Sequence, residues 1–367
     1  MQKTALIIFP DEWLQYSPTV INLHNCLQED GYKVKIIAAD NGHFDNKGLV
    51  EELVQVRTSG FCSYIARRLK RYKHFKCNRI CRKLKRIARL QPAFDLVTGV
   101  DSIGYLAAKK YFRNVVFLSL EVVKDNFFNQ AKKLGIDHLI IQTAERKFFL
   151  LGDDVSTPVS FIQNAPVMPD DLTEIKQNKP KKLLYLGKSD FRYGIEPFIE
   201  SLMFLDEEYT LTLKGFKSDK FMEFVYANYY DLISKKRLLF DFDYVHQDQI
   251  IDAIKEYYIA FTAYDLLLSE KDFNYYSSPA GKLFNYYAAG LPVIGVKIPG
   301  LKSVEDYHAG KLLEEANPEQ IAAVVKCLEE EYYKYANNAQ KAAIAFDFRK
   351  AYRQFMSDYM QIHSETK

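Results

Sequence analysis

The run Ser277-Ser278-Pro279-Ala280-Gly281-Lys282-Leu283-Phe284-Asn285-Tyr286-Tyr287-Ala288-Ala289-Gly290-Leu291-Pro292-Val293-Ile294 holds the residues best placed to do chemistry. Two hydroxyls and a proline open it, an amphipathic stretch follows, and Gly290 precedes an apolar Pro-Val-Ile. This pattern predicts a helix that begins at the serines, stops at Gly290 and feeds a buried strand. The first N–H groups of a helix lack partners inside it and carry partial positive charge, so with a Lys and two hydroxyls beside them they make a place for a phosphate group. The plain alternative is a capped helix with a surface cation.

Such a helix must be held by a sheet, and the chain alternates strand-like and helix-like segments. Residues 4–9 (TALIIF) read as a first buried strand, Ser17-Pro18 as a helix start, and 34–39 (VKIIAA) as the next strand after a stop at Gly31. Further strands are predicted at 95–98, 114–118 and 138–142, with helices between them. The segment 165–181 is polar and Pro-bearing with no periodic apolar face, as a linker would be. A second series follows at 183–187, 209–214, 237–240, 260–263 and 292–296, and from Pro318 onward the pattern is helical. The expectation is an α/β protein with a first Rossmann-like domain at 1–164, a linker at 165–181, a second Rossmann-like domain at 182–345 and a closing helical segment at 346–367. Ligands of such parallel sheets sit at the carboxyl ends of the strands.

Composition bounds the rest. A chain of 367 residues fits two domains better than one, and 48% hydrophobic with 26% charged residues is ordinary for a globular protein. No apolar run approaches the roughly 20 residues of a membrane span. The N-terminus suits a first strand better than a cleavable signal, so the cytoplasm is the expected compartment. Five cysteines without a CxxC pair suggest neither a disulfide framework nor a zinc ribbon; Cys77 and Cys81 stand four apart without a His at metal spacing.

The net charge of +3 hides a local asymmetry. From Arg67 to Arg89 the chain carries twelve Lys and Arg and no acid, with Leu69, Tyr72, Phe75, Ile80, Leu84 and Ile87 at helical steps. This describes a basic amphipathic helix or helix pair. It reads either as a solvated face or as a surface for anionic lipid headgroups at the inner face of the cell membrane. Without a recognisable nucleic-acid-binding motif, no nucleic acid partner is expected.

The stretch SPAGKLFNYYAAGLPVIG resembles the donor-binding motif SPxKxFEYxAxGxPVI of glycosyltransferases with the GT-B fold, close to family 4 and its relatives. The resemblance extends along most of the chain. Asp137 to Thr143 is similar to the family's ADxIIxxS strand, and Phe161 to Pro166 to its VIPNGVD exit from the first domain. Gly187-Lys188 with Arg192-Tyr193-Gly194 is similar to the GRLxxxKG loop, whose cations meet the donor diphosphate. The resemblance implies two doubly wound domains facing across a cleft, a nucleotide-sugar donor as substrate, and a donor site at Gly187, Lys188, Arg192, Ser277, Ser278, Lys282 and Asn285.

Departures from the pattern matter equally. The family usually carries two glutamates eight positions apart, and here those positions are Ser277 and Asn285. Asn285 can still accept a ribose hydroxyl through its amide oxygen, whereas Ser277 is too short to reach the donor sugar as Glu does, which leaves donor identity and a retaining or inverting outcome open. In the segment matching VVxxxHE, Leu120 takes the His position while Glu121 remains.

Departure of a nucleoside diphosphate leaves negative charge on phosphate, which Lys188, Arg192, Lys282 and helix amides could stabilise. No DxD pair at a strand end demands a metal, so neither metal nor cofactor is expected. An inverting enzyme needs a base for the acceptor hydroxyl. Asp101 and Glu121, which follow predicted strands of the first domain, are the candidates, although acids at helix starts often only partner the dipole. Asp11, Glu12 and Trp13 follow the first strand and would line the acceptor site.

The expected function is transfer of a sugar from a nucleotide diphosphate to a glycan or lipid-linked acceptor, in cell-envelope or exopolysaccharide synthesis. The alternatives are a GT-B-fold partner or regulatory protein without catalysis, motivated by the replaced Glu pair, and a nucleotide-sugar epimerase of the same fold.

Overall fold

The computed structural model describes residues 2–43, 46, 48–169, 172, 174–176, 179–269 and 272–364. Parts of the segment 165–181 and residues 365–367 lie outside the described residues. The chain divides into two compact units, residues 1–163 with 348–367, and residues 164–347.

The first unit is built on a parallel sheet of seven strands: β1 (Thr4–Phe9), β2 (Lys33–Asp40), β3 (Glu52–Arg57), β4 (Leu96–Val100), β5 (Val116–Leu118), β6 (His138–Ile141) and β7 (Val159–Phe161). Their order is β3-β2-β1-β4-β5-β6-β7, with Ile7 of β1 opposite Ile36 of β2 and Ile8 opposite Gly99 of β4. Helices cover both faces, so the central strands are apolar throughout; Ala5 to Phe9 have no exposure at all. Four helices matter below: α1 (Pro18–Glu29), α2 (Phe61–Arg68), α3 (Tyr72–Leu90) and α4 (Asp101–Lys109). The C-terminal helix Phe348–Ser364 is part of this unit. Tyr352 donates to Asp30 at 2.7 Å, Arg349 pairs with Glu29 at 3.2 Å, and Phe355 stands edge-on to His138.

The second unit repeats the plan with six parallel strands: β8 (Lys182–Ser189), β9 (Thr210–Lys217), β10 (Leu238–Asp241), β11 (Ile259–Thr262), β12 (Val293–Val296) and β13 (Gly310–Leu313), in the order β10-β9-β8-β11-β12-β13. Ala165 and Met168 are buried in its core.

In both sheets the strand order reverses beside the first strand, between β1 and β4 and between β8 and β11. At such a point the connections leave in opposite directions and open a crevice at the carboxyl ends. The residues after β1 and β4 are Asp11, Glu12 and Asp101; those at the end of β8 and after β11 are Gly187, Lys188, Tyr264 and Asp265.

The expected helix at the serines starts later than the sequence pattern indicates. Ser277 ends a short helix, Phe273–Ser277, capped by Asp272, and its hydroxyl donates to the Phe273 carbonyl at 2.6 Å. Pro279 disfavours helical geometry at Ser278, which is extended (φ −75°, ψ 118°), and the following helix spans Gly281–Ala288 without a side-chain cap. Its end does match. Gly290 has φ 65°, its N–H reaches the Tyr287 carbonyl, and the Leu291 N–H reaches that of Tyr286, a Schellman closure.

Candidate functional site

Lys282 stands in the first turn of the helix Gly281–Ala288, and Gly281 is what lets that turn sit where it does. A Cβ at position 281 would lie 2.7 Å from the Asn164 side-chain amide. The Lys282 Nζ is 4.1 Å from the centre of the Tyr185 ring and 5.7 Å from that of Tyr193. Tyr193 and Tyr264 both pack on Tyr275. Burial lowers the Lys282 ammonium to about 7, and no charged group offsets that. The ring faces are its cation–π partners, and among the described residues no carboxylate pairs with it.

Gly187, at φ 134° near the end of β8, lies against the same ammonium: a Cβ there would be 3.4 Å from Lys282 Nζ. Gly215 of β9 packs its backbone on Gly187, where a Cβ would meet the Gly187 carbonyl at 2.6 Å. Tyr185 donates to the Lys188 carbonyl at 3.0 Å, and Tyr275 to that of Arg192 at 2.9 Å, so the tyrosines fix the loop that carries both cations. Lys188 and Arg192 share Asp190, at 3.3 and 3.5 Å, and both remain largely exposed. Asn285 is half-buried one turn after Lys282 on the same helix. Gly187, Lys188, Lys282 and Asn285 are thus carried at the strand end and helix start facing the reversal point. Ser277 and Ser278 are not: their amides precede the helix, and Ser278 packs against Gly300, where a Cβ would meet its carbonyl at 2.3 Å.

The first unit has its own polar cluster. Asp101 has φ 49°, a left-handed conformation uncommon outside glycine, at the first position of α4 directly after β4. The turn is forced by packing: a Cβ on Gly99 would be 2.4 Å from the Tyr105 Cα, and one on Gly104 would be 2.6 Å from the Ile8 carbonyl. The Asp101 Oδ1 accepts from the amides of Leu120 at 2.8 Å and Glu121 at 3.0 Å. Burial pushes its carboxyl up to about 7, with the charges of Asp11 and Glu121 adding and the two amides opposing. Arg146, fully buried, donates to the Leu120 carbonyl at 2.8 Å and feels the charges of Glu121 and Asp101. Asp101 and Glu121 therefore share one neighbourhood.

Asp11 and Glu12 are engaged by residues whose part the sequence reading missed. Lys76 of α3 is buried and pairs with Asp11 at 2.6 Å and Glu12 at 3.9 Å; Tyr72 and Thr58 both donate to Glu12 Oε1, at 2.8 and 3.1 Å. The signal was present, because Lys76 falls on the Tyr72, Ile80, Leu84 stripe, and a lysine on an apolar stripe needs a buried partner. Trp13 packs edge-on against Phe9. Among the described residues, no group of three or more His, Cys, Asp and Glu is placed to hold a metal ion.

No family model matches the chain, and no curated protein is significantly similar to it in sequence. Solved structures do match. Anabaena HepE in complex with UDP superposes with a TM-score of 0.66 at 12% identity, over 98% of this chain and all of that one. A glycosyltransferase from Rickettsia africae gives 0.69 at 13% identity over 98% of both chains. A Listeria monocytogenes protein provisionally assigned as a UDP-N-acetylglucosamine 2-epimerase gives 0.66 at 12% identity, over 100% of this chain and 98% of that one. At these identities the likeness establishes the fold: two parallel sheets of seven and six strands in a GT-B arrangement.

Proposed function

We propose that this protein is a nucleotide-sugar-dependent glycosyltransferase whose second unit binds the donor and whose first unit serves the acceptor, a glycan or lipid-linked sugar of the cell envelope or an exopolysaccharide. The observation that carries this reading is Lys282, a half-buried and desolvated lysine with no carboxylate paired to it, beside the end of β8 where the strand order of a Rossmann-like sheet reverses. In this reading Lys282, Lys188 and Arg192 take up the charge that develops on the leaving diphosphate, and Asn285 accepts a ribose hydroxyl. Fixed cations here would neutralise the charge that a bound metal otherwise would, so the reaction is proposed as metal-independent. Asp101 is the proposed base for the acceptor hydroxyl, because a carboxyl near 7 is half ionised at neutral pH and can both take and hold a proton.

Among the described residues no helix is long and apolar enough to cross a membrane. Contact with a lipid-linked acceptor is proposed to run through peripheral binding of the basic segment to an anionic surface.

The test is thermal shift with UDP, GDP, ADP and TDP at millimolar concentration, followed by transfer assays on Lys282→Ala. A rise in melting temperature with one nucleotide, lost in Lys282→Ala, supports the donor site. No rise with any of them removes it and leaves the non-catalytic GT-B-fold reading.

A further inference from the structure

A second cationic site lies in the first unit, away from the reversal point. β3 is an edge strand of the seven-stranded sheet, and α3 runs beside it. Between them is a cavity of about 280 Å³ lined by Arg57 of β3 and by Arg79, Arg82, Lys83 and Arg86 of α3. Positions 79, 82, 83 and 86 are three or four residues apart, so one face of the helix presents all four to the same space. No acid lines the cavity. None of the five cations belongs to an ion pair among the described residues. The acid of β3, Glu52, sits at the far end of the strand and is held by Lys33 and Lys35, while Asp40, the register partner of Arg57, accepts from the Gly42 amide.

Five like charges around one cavity repel; no acid in the lining offsets this, and solvent reaches mainly Arg57, Arg82 and Arg86. Arg57 Nε is bonded only to the Ser59 hydroxyl, at 3.2 Å. Arg79 Nε is buried without a hydrogen-bond partner, its guanidinium 5.5 Å from the Phe75 ring centre. A buried guanidinium N–H left unmatched costs free energy that a bound acceptor would recover. Guanidinium forks favour phosphate oxygens, and a cavity of this size has room for several waters of about 30 Å³ each, hence for a hydrated phosphate group.

We propose that the groove between β3 and α3 is a binding site for a phosphate group bearing two or more charges, offered either as a free anion or as the phosphomonoester headgroup of a lipid. The site is independent of the proposed nucleotide site, and its test is run on Lys282→Ala protein so that the second unit's cation is not the reporter.

Binding of inorganic pyrophosphate is measured by calorimetry, and retention on vesicles of phosphatidylcholine doped with phosphatidic acid is compared with retention on phosphatidylserine at equal surface charge. Two double variants, Arg79→Gln with Lys83→Gln and Arg82→Gln with Arg86→Gln, probe the groove; the second pair is more exposed and keeps the test usable if the first misfolds. Each should weaken binding by about tenfold or more, as expected for lost charge-assisted bonds, while Lys132→Gln with Lys133→Gln leaves it unchanged. Saturable pyrophosphate binding without preference for phosphatidic acid assigns the free anion. A preference for phosphatidic acid that the double variants abolish assigns the headgroup. Absence of both, or binding that the double variants leave intact, overturns the proposal.

Discussion

The Lys282 ammonium faces the Tyr185 ring at 4.1 Å, and burial alone, unopposed by any charge, draws it down to about 7. In the unfolded chain a lysine titrates near 10.4. Between about pH 7 and 10 the unfolded chain therefore binds a proton that the native state does not, so this group makes stability rise with pH across that window and costs stability below it. Such a residue is retained at the expense of the free fold, which is expected where a ligand completes the charge balance.

The pH dependence of nucleotide binding follows. A diphosphate beside Lys282 raises its affinity for protons, so binding above pH 7 requires proton uptake. The dissociation constant of the nucleoside diphosphate is expected to rise between pH 7 and 9, by up to about tenfold per unit. In Lys282→Met the affinity is lower, this rise is absent, and the ligand-free protein melts a few degrees higher. Calorimetry across the pH range measures the first two, and a melting-temperature scan the third; a parallel pH dependence in wild type and Lys282→Met would remove the role assigned to the lysine.

Asp101 gives the opposite sign. Its carboxyl is raised to about 7 from an unfolded value near 3.9, so its contribution is favourable below pH 4 and is lost as pH rises through 7. Asn is nearly isosteric, tolerates positive φ, and keeps an oxygen for the amides of Leu120 and Glu121. Asp101→Asn should therefore raise stability at pH 8, leave it little changed at pH 4, and lower the transfer rate by about a hundredfold or more. Wild-type rate should fall as pH drops below 7. Denaturant melts at the two pH values and a rate profile decide this; a variant less stable than wild type at pH 8 would contradict the assigned destabilisation.

The fold was legible where strands are central. Residues 4–9, 34–39, 183–187 and 260–263 read as buried strands because helices on both faces demand continuous apolar runs. β3, β7 and β13 escaped notice, and all three are edges. A strand such as Glu52–Arg57 is half-covered and polar at both ends, so composition does not mark it. In the site, Lys282 and Gly290 stood out through spacing. One feature depended on the third dimension, the turn of Ser277 back to the Phe273 carbonyl; for Lys76 the apolar stripe pointed to a buried partner, but only the fold identifies it as Asp11. The same limit affects the basic segment, where Ile80 and Leu84, read with the cations as one amphipathic surface, are fully buried in the unit's core.

The apolar residues available to a lipid surface come instead from α2 and its exit. Phe61, Tyr64 and Leu69 are 77%, 60% and 61% exposed, and Ile65 is exposed beside them. Arg67, Arg68, Lys70 and Arg71 surround them, with Arg67 stacked on the Tyr72 ring at 3.8 Å. Each cation near an anionic surface contributes about 1 kcal/mol before salt screening, and inserted aromatic and aliphatic side chains add a part that salt does not weaken. The protein is expected to sediment with phosphatidylserine vesicles at low salt and to be largely released near 1 M salt, where the screening length falls to about 3 Å. Changing Arg67, Arg68, Lys70 and Arg71 to Ser should abolish the low-salt fraction, whereas Phe61→Ser with Leu69→Ser should remove whatever remains at high salt. Sedimentation indifferent to salt and to both sets of substitutions would place the contact elsewhere, and its absence in wild type would make α2 a solvated helix.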